Sequence, residues 1–304
     1  MAVAEQQIAR RTVERASSGD RTKDLLFRAA LLLCLLIAVA FLAALFVTTL
    51  NDGVSFLSWN FLTSFPSRLR PESSGIQSAL IGTLYLMVLV AAFIVPVGVA
   101  SAVYLEEYAD ATKWWNRTIE TNIQNLASVP SVVYGILGLA FIVRGPVDIF
   151  GLGVGQPTLL AGALTLGLLV LPVVIIVSRE AIRAVPPSIR EGSLALGATQ
   201  WQTIWKQVLP GALPGIATGV ILALSRAIGE TAPLILVGAV ANLRFNPEID
   251  GSFTALPAQI LDAVGQPEAV FQNIAAAAII VLLVILLLMN SVAIYLRNRY
   301  ETKW

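Results

Sequence analysis

Six apolar segments, each close to the length that a helix needs to cross a lipid bilayer, constrain this chain more than any other feature. Only 13% of the 304 residues are charged, whereas about a quarter are charged in an average soluble domain. The sequence therefore predicts an all-α integral membrane protein with six transmembrane helices. The predicted spans are residues 25–50, 76–104, 126–143, 158–177, 215–241 and 274–296. They form one transmembrane domain, residues 25–304, after a flexible basic tail, residues 1–24.

The positions of the basic residues predict the orientation in the membrane. Most of the 20 lysines and arginines lie in the tail, in segments 105–125 and 178–210, or at the C-terminus. Positive residues accumulate on the cytosolic side of membrane proteins. We therefore expect a multi-pass protein of the cell (inner or plasma) membrane with both termini in the cytosol. The four arginines expected outside are Arg68, Arg70, Arg144 and Arg244.

A polar segment, residues 188–210, separates the fourth and fifth spans and is predicted to be cytosolic. Its apolar residues recur at the spacing of one helix face, Gly197 interrupts this pattern, and Leu209-Pro210 closes it. We expect two short amphipathic pieces that present an apolar surface to a partner protein. A helix lying on the membrane surface is the alternative. The apolar positions are Leu194, Ala198, Trp201, Ile204, Trp205 and Val208.

Two charged residues, Arg226 and Glu230, lie inside the fifth predicted span. They are four residues apart and so share a helix face. Counted from Gly215, Arg226 lies about 16 Å along the helix, near the middle of the bilayer. An arginine at that depth costs about 2.5–3.5 kcal/mol and has to face protein or water. The pair indicates either an anion pathway, because a guanidinium suits phosphate oxygens, or a buried ion pair that fixes helix packing.

Composition excludes several functions. The chain has no histidine and one cysteine, Cys34, so the commonest general base and metal ligands are missing and an intrachain disulfide cannot form. The ATP-binding motif GxxxxGK[ST] does not occur in the sequence, so hydrolysis of ATP would need another subunit. A net charge of +1 gives no electrostatic basis for binding nucleic acid. We expect no catalytic residues, metal site or cofactor in this chain.

The polar segment carries a family resemblance. Glu191, Gly197 and Leu209-Pro210 have the spacing of the cytoplasmic loop in permeases of binding-protein-dependent ABC importers, and the sequence departs from that pattern at Gly192, Ser193 and Gln207. Further stretches resemble the PstA-type permease subunits of phosphate-specific ABC importers. These are SAVYLEEYA at 101–109, SVPSVVYG at 128–135, SRAIGETAP at 225–233 and NSVAIYLRNRY at 290–300.

The resemblance implies a type I ABC importer permease with a cytosolic coupling-helix loop. It implies that Arg226 and Glu230 belong to the translocation pathway. It also implies partners: a homologous PstC-type permease, two ATP-binding subunits that use ATP and Mg²⁺, an external phosphate-binding protein and the lipid bilayer. The residues expected to couple the permease to the ATPase are Glu191, Gly197, Trp201, Ile204, Trp205, Leu209 and Pro210.

Two other functions are compatible with the same residues. The chain could be the permease of an ABC importer for another oxyanion or solute. It could also be an ion-coupled secondary transporter, in which Arg226 and Glu230 would couple to protons or ions. The polar segment argues against the second alternative, because such a transporter needs no docking site for an ATPase.

Overall fold

A computed structural model describes residues 18–110, 112–145 and 156–300. The chain divides into two compact units, Met1–Asn51 and Asp52–Trp304. Helix α1, Ser18–Gly53, accounts for the described part of the first unit. It begins before the predicted span, because helical hydrogen bonds continue beyond the apolar residues. Of the predicted tail, residues 18–24 are therefore helical, and residues 1–17 lie outside the described part.

The described residues of the second unit are mainly helical. Its helices are α2 (Trp59–Thr63), α3 (Gln77–Val103), α4 (Trp114–Ala127), α5 (Ser131–Leu137), α6 (Leu159–Arg183), α7 (Pro187–Ala195), α8 (Gln200–Gly229), α9 (Ala232–Val237), α10 (Leu256–Val264) and α11 (Ala269–Tyr300). Wider π-helical turns extend α3 through Tyr104–Tyr108 and α5 through Gly138–Val143.

The number of spans agrees with the sequence, whereas some boundaries differ. Within the described residues, five helices are long and apolar enough to cross a membrane, or six if α4 and the extended α5 count as one bent span. The predicted third span, 126–143, is not one straight helix, because the chain bends by 108° between α4 and α5. Pro130 precedes α5 and restricts the preceding residue to non-helical conformations.

The predicted fifth span also differs from the structure. The sequence predicts one helix over 215–241, but α8 starts at Gln200 and ends at Gly229, and the separate helix α9 follows. Glu230 has an extended conformation, with φ −77° and ψ 121°, which ends the helix. Pro233, in the first turn of α9, cannot donate a helical hydrogen bond back across this break. An average of hydropathy over residues 215–241 does not register such a local break.

Helix α6 lies at the centre of the second unit. It packs along α3 on one side and α8 on the other, and it also contacts α4 and α9. Small residues allow these close approaches: a side chain at Gly98 would collide with Val174, and one at Gly167 with Phe93. Close packing of this kind drives the association of helices in membranes, because lipid is itself apolar and the hydrophobic effect does not favour contact between helices there.

The segment after α9 folds back onto the bundle. Phe253 is fully buried, and its carbonyl accepts a hydrogen bond from the Val240 N–H at 2.8 Å. The Thr83 hydroxyl in α3 accepts a hydrogen bond from the first N–H of α10, that of Leu256, at 2.9 Å. This segment is therefore fixed to the helices and holds the chain that leaves α9.

Candidate functional site

The charged pair lies where α8 ends. Arg226 belongs to the last turn of this helix, and Glu230 is the first residue beyond it. The Arg226 Nε atom lies 3.4 Å from Glu230 Oε1, which confirms that the two side chains meet. The Arg226 side chain is 40% exposed and that of Glu230 is 18% exposed. The pair is thus at the surface of this chain and is not sealed within its core.

The packing of α8 on α6 gives the depth of the pair. Gly215 lies against Ala181, and Gly219 lies against Val177, so the two helices run in opposite directions in this register. The same register brings Arg226 level with Val170, near the middle of Leu159–Arg183. The position of Arg226 near the middle of the bilayer stays a prediction, and this register supports it. The sequence did not predict that α8 ends close to this level, at Gly229.

Polar and small side chains surround the helix end. The Ser225 hydroxyl donates a hydrogen bond to Asn290 Oδ1 at 2.6 Å, which joins α8 to α11 beside the pair. Gly135, on α5, allows close contact with Pro233 at the start of α9. The end of α8 and the start of α9 thus lie beside α5 and α11 where the charged pair is exposed.

The segment predicted to couple to an ATPase has the expected break. Helix α7 ends in a Schellman motif: the Gly197 N–H donates to the Leu194 carbonyl at 2.9 Å and the Ala198 N–H to the Ser193 carbonyl at 3.2 Å. Gly197 has φ +87°, a left-handed conformation that glycine adopts without strain. A side chain at this position would touch nothing within 4 Å. Backbone conformation, and not space, is what requires glycine here.

The second half of the segment begins at a capped helix end. The Thr199 hydroxyl accepts from the Gln202 N–H, and the Gln202 side chain accepts from the Thr199 N–H, which forms a capping box. A hydrogen bond of 2.9 Å between the Ser193 and Thr203 hydroxyls joins the two halves. We call residues 187–208 the coupling segment; it comprises Pro187–Ala195, residues 196–199, Gln200–Thr203 and the turn Ile204–Val208.

The apolar residues of the coupling segment divide between two faces. Trp201 and Trp205 are 59% and 54% exposed, and their rings stack edge to face at 5.3 Å. Ile204 is 1% exposed and Val208 is fully buried. The prediction that Ile204 belongs to an exposed docking surface is therefore wrong, because Ile204 faces the protein interior. Glu191 is exposed on α7.

Leu209-Pro210 does not close the segment as predicted. Proline has no N–H and cannot donate to the carbonyl four residues earlier, that of Lys206. The π turn Ile204–Val208 precedes it, and the helix continues through Leu209–Gly229. A wider turn of this kind lets a helix accommodate the missing bond. One helix therefore extends from the coupling segment to Arg226.

A network of ion pairs, not anticipated from the sequence, lies at the predicted cytosolic end. Its acidic residues, Glu106 and Glu107, lie in the turn that extends α3. Glu106 pairs with Arg179 and Arg183, and Glu107 pairs with Arg190 at 2.9 Å. These contacts connect residues far apart in the chain, so only tertiary structure reveals them. One signal in the sequence could have indicated this network: acidic residues follow one span, and basic residues follow a neighbouring span.

This geometry can be compared with known proteins. Residues 94–302 match the family described as the binding-protein-dependent transport system inner membrane component. The chain belongs to this family. It is a multi-pass membrane permease subunit, which confirms the family that the motif at 191–210 indicates.

Relatives and solved structures agree with this assignment. The permease is 37% identical over 214 residues to the probable ABC transporter permease YqgI of Bacillus subtilis, with 70% of each chain covered. It is 36% identical over 197 residues to the phosphate transport system permease PstA 1 of Mycobacterium tuberculosis, covering 64% of this chain and 62% of that one.

The fold is similar to that in the crystal structure of a bacterial alginate ABC transporter bound to its periplasmic protein. The TM-score is 0.67 at 20% identity, and the match covers 94% of this chain and 98% of that one. An all-α type I importer permease fold, as predicted from the sequence, is thereby confirmed.

Proposed function

We propose that this permease forms half of the translocation pathway of an ATP-driven phosphate importer. The observation that supports the proposal most directly is the exposed pair Arg226–Glu230, which the packing register brings level with the middle of α6. An arginine at that depth is too costly to face lipid, so water or protein has to cover it. A homologous PstC-type permease, arranged so that both halves enclose the pair, provides such a cover.

The chemistry of the pair fits an oxyanion in transit. The guanidinium presents fixed N–H donors that match the oxygens of phosphate. Glu230 contacts only one nitrogen, at 3.4 Å, which leaves other donors of Arg226 for an anion. A neighbouring carboxylate also repels the anion and so prevents tight trapping. The phosphate assignment draws further support from the relatives that carry phosphate permease names.

Energy would come from other subunits. In the proposed importer, two ATP-binding subunits bind ATP and Mg²⁺ and dock on the coupling segment in the cytosol, where both chain termini also lie. The exposed Trp201 and Trp205 supply an apolar contact of the kind that dominates protein interfaces. An external phosphate-binding protein delivers the substrate on the opposite side.

The decisive variant is Arg226→Gln. We expect it to abolish phosphate uptake by the complex in liposomes, because glutamine keeps hydrogen-bonding groups and loses the charge. The matched control is Arg28→Gln, since Arg28 also pairs with an acid four residues away, Asp24, outside the second unit. Pull-down of the ATPase subunits verifies assembly of both variants.

Normal uptake by the Arg226→Gln complex would rule out a pathway role. Competition with sulfate and molybdate separates a phosphate importer from a permease for another oxyanion. If either anion displaced phosphate at equal concentration, the substrate assignment would fail while the pathway role could stand.

A further inference from the structure

The carboxylate of Glu107 lies where three parts of the permease meet. Glu107 follows α3, in the π turn Tyr104–Tyr108. Its Oε1 atom accepts hydrogen bonds from Arg190 Nε at 3.1 Å and Nη2 at 2.9 Å. Its backbone carbonyl accepts from Gln200 Nε2 at 2.7 Å. Arg190 and Gln200 belong to the first and second halves of the coupling segment, so one residue holds both.

Arg190 extends the connection to α6. Its Nη1 atom donates to the Val185 carbonyl at 2.6 Å, and Nη2 donates to the Ile182 carbonyl at 2.8 Å. Carbonyls at the end of a helix have no partners within it, and a cation there also interacts favourably with the helix dipole. The guanidinium thus fixes α7 to the C-terminal end of α6 and, through Glu107, to the end of α3.

We propose that Glu107 and Arg190 form a brace that makes the coupling segment move as one body with the ends of α3 and α6. Both are positioning residues, because neither contacts the substrate. Their side chains are 11% and 22% exposed, so water screens the pair little. Nearby, Arg183 and Glu180 form a pair with exposures of 54% and 65%, which is typical of surface pairs of small effect.

Through the brace, a displacement of the coupling segment can be transmitted to the helices around the charged pair. Helix α8 continues from Gln200 to Gly229 and includes Arg226. Without the brace, α7 keeps its connection to α6 through residues 184–186, its hydrogen bond to α8 through Ser193 and the packing of Ile189, but it loses the ionic contact with the end of α3. With the brace, a force applied at the coupling segment acts together on α3, α6 and α8, three helices that pack against one another.

This inference rests on the proposed function, because it assumes that an ATPase acts on the coupling segment. The test uses the complete complex in liposomes and measures phosphate uptake and ATP hydrolysis together. For Glu107→Ala we expect retained hydrolysis and a fall in phosphate moved per ATP on the order of tenfold, within the range typical of coupling between sites. Glu107→Gln keeps an acceptor for Arg190 without the charge and should fall between wild type and alanine.

A second measurement reports the position of the segment directly. A spin label at Ser188→Cys, in a Cys34→Ser background, lies on an exposed part of α7. We expect its EPR spectrum to show greater mobility with Glu107→Ala. The control is Glu180→Gln, which breaks the exposed pair and should change neither the transport ratio nor the spectrum.

An unchanged phosphate-to-ATP ratio for Glu107→Ala overturns the brace, and so does an unchanged spectrum. If the alanine variant loses its ATPase subunits, Arg190→Lys serves instead, because it keeps the charge and loses the planar fork that reaches three acceptors. A wild-type complex that moves no phosphate would contradict the proposed function and leave the EPR result to decide on the brace.

Discussion

The requirement for glycine at position 197 can be tested with the smallest possible side chain. Gly197 and Gly192 both lie on the coupling segment, and a Cβ atom at either would touch nothing within 4 Å. They differ in backbone conformation: Gly197 has φ +87°, whereas Gly192 is inside helix α7. Replacing each with alanine therefore adds the same atoms to the same kind of open space and changes only the conformational cost.

The two substitutions should have opposite effects on the folded segment. An L-residue in the left-handed region costs roughly 1–2 kcal/mol, so Gly197→Ala should reduce the population of the observed turn about 5–30-fold relative to its alternatives. Alanine inside a helix is more stable than glycine by about 1 kcal/mol, so Gly192→Ala should leave the turn intact. Gly197→Asn should lie between them, because asparagine tolerates this conformation better than alanine.

The assay measures the affinity of the purified permease for its ATPase subunits and then the ATP-dependent uptake of phosphate by the assembled complex. Gly197→Ala should weaken binding by up to this factor of about 5–30, because the apparent affinity scales with the fraction of molecules that have the turn, while Gly192→Ala should bind as wild type. Equal affinity of the two alanine variants would refute the argument, because it would mean that the shape of the turn does not matter for docking.

Two further substitutions test docking and helix packing. Changing both Trp201 and Trp205 to alanine should weaken ATPase binding by at least about 2 kcal/mol, the loss typical of buried aromatic contacts at interfaces; an unchanged dissociation constant would locate docking elsewhere. Gly219→Val would collide with Val177, and overpacking of this kind costs about 1–3 kcal/mol. We expect a lower melting temperature in detergent for Gly219→Val than for Gly229→Ala, where the space is open; equal values would contradict the packing.

Residue patterns within short stretches of the sequence were sufficient to predict several features of this protein. Hydropathy predicted the membrane class and the number of spans, because burial in lipid requires long apolar helices wherever they pack. The spacing of four residues predicted that Arg226 and Glu230 would meet, although the helix that was expected to carry both ends at Gly229. Gly197 marked the break in the coupling segment, since its left-handed turn is a local conformational demand. The spacing of Glu191, Gly197 and Pro210 pointed to the family.

The tertiary structure decided what depends on neighbours distant in the chain. The sequence could not tell that Ile204 faces inward while Trp201 faces outward, because both are apolar and the difference depends on what packs beside them. It could not assign Arg190 to Glu107, which is 83 residues away. It could not give the register of α8 against α6, where Gly215 and Gly219 let the two helices approach. Local pattern thus predicted most of the apolar helical segments, and the tertiary structure showed where two of them break and which of their faces are exposed.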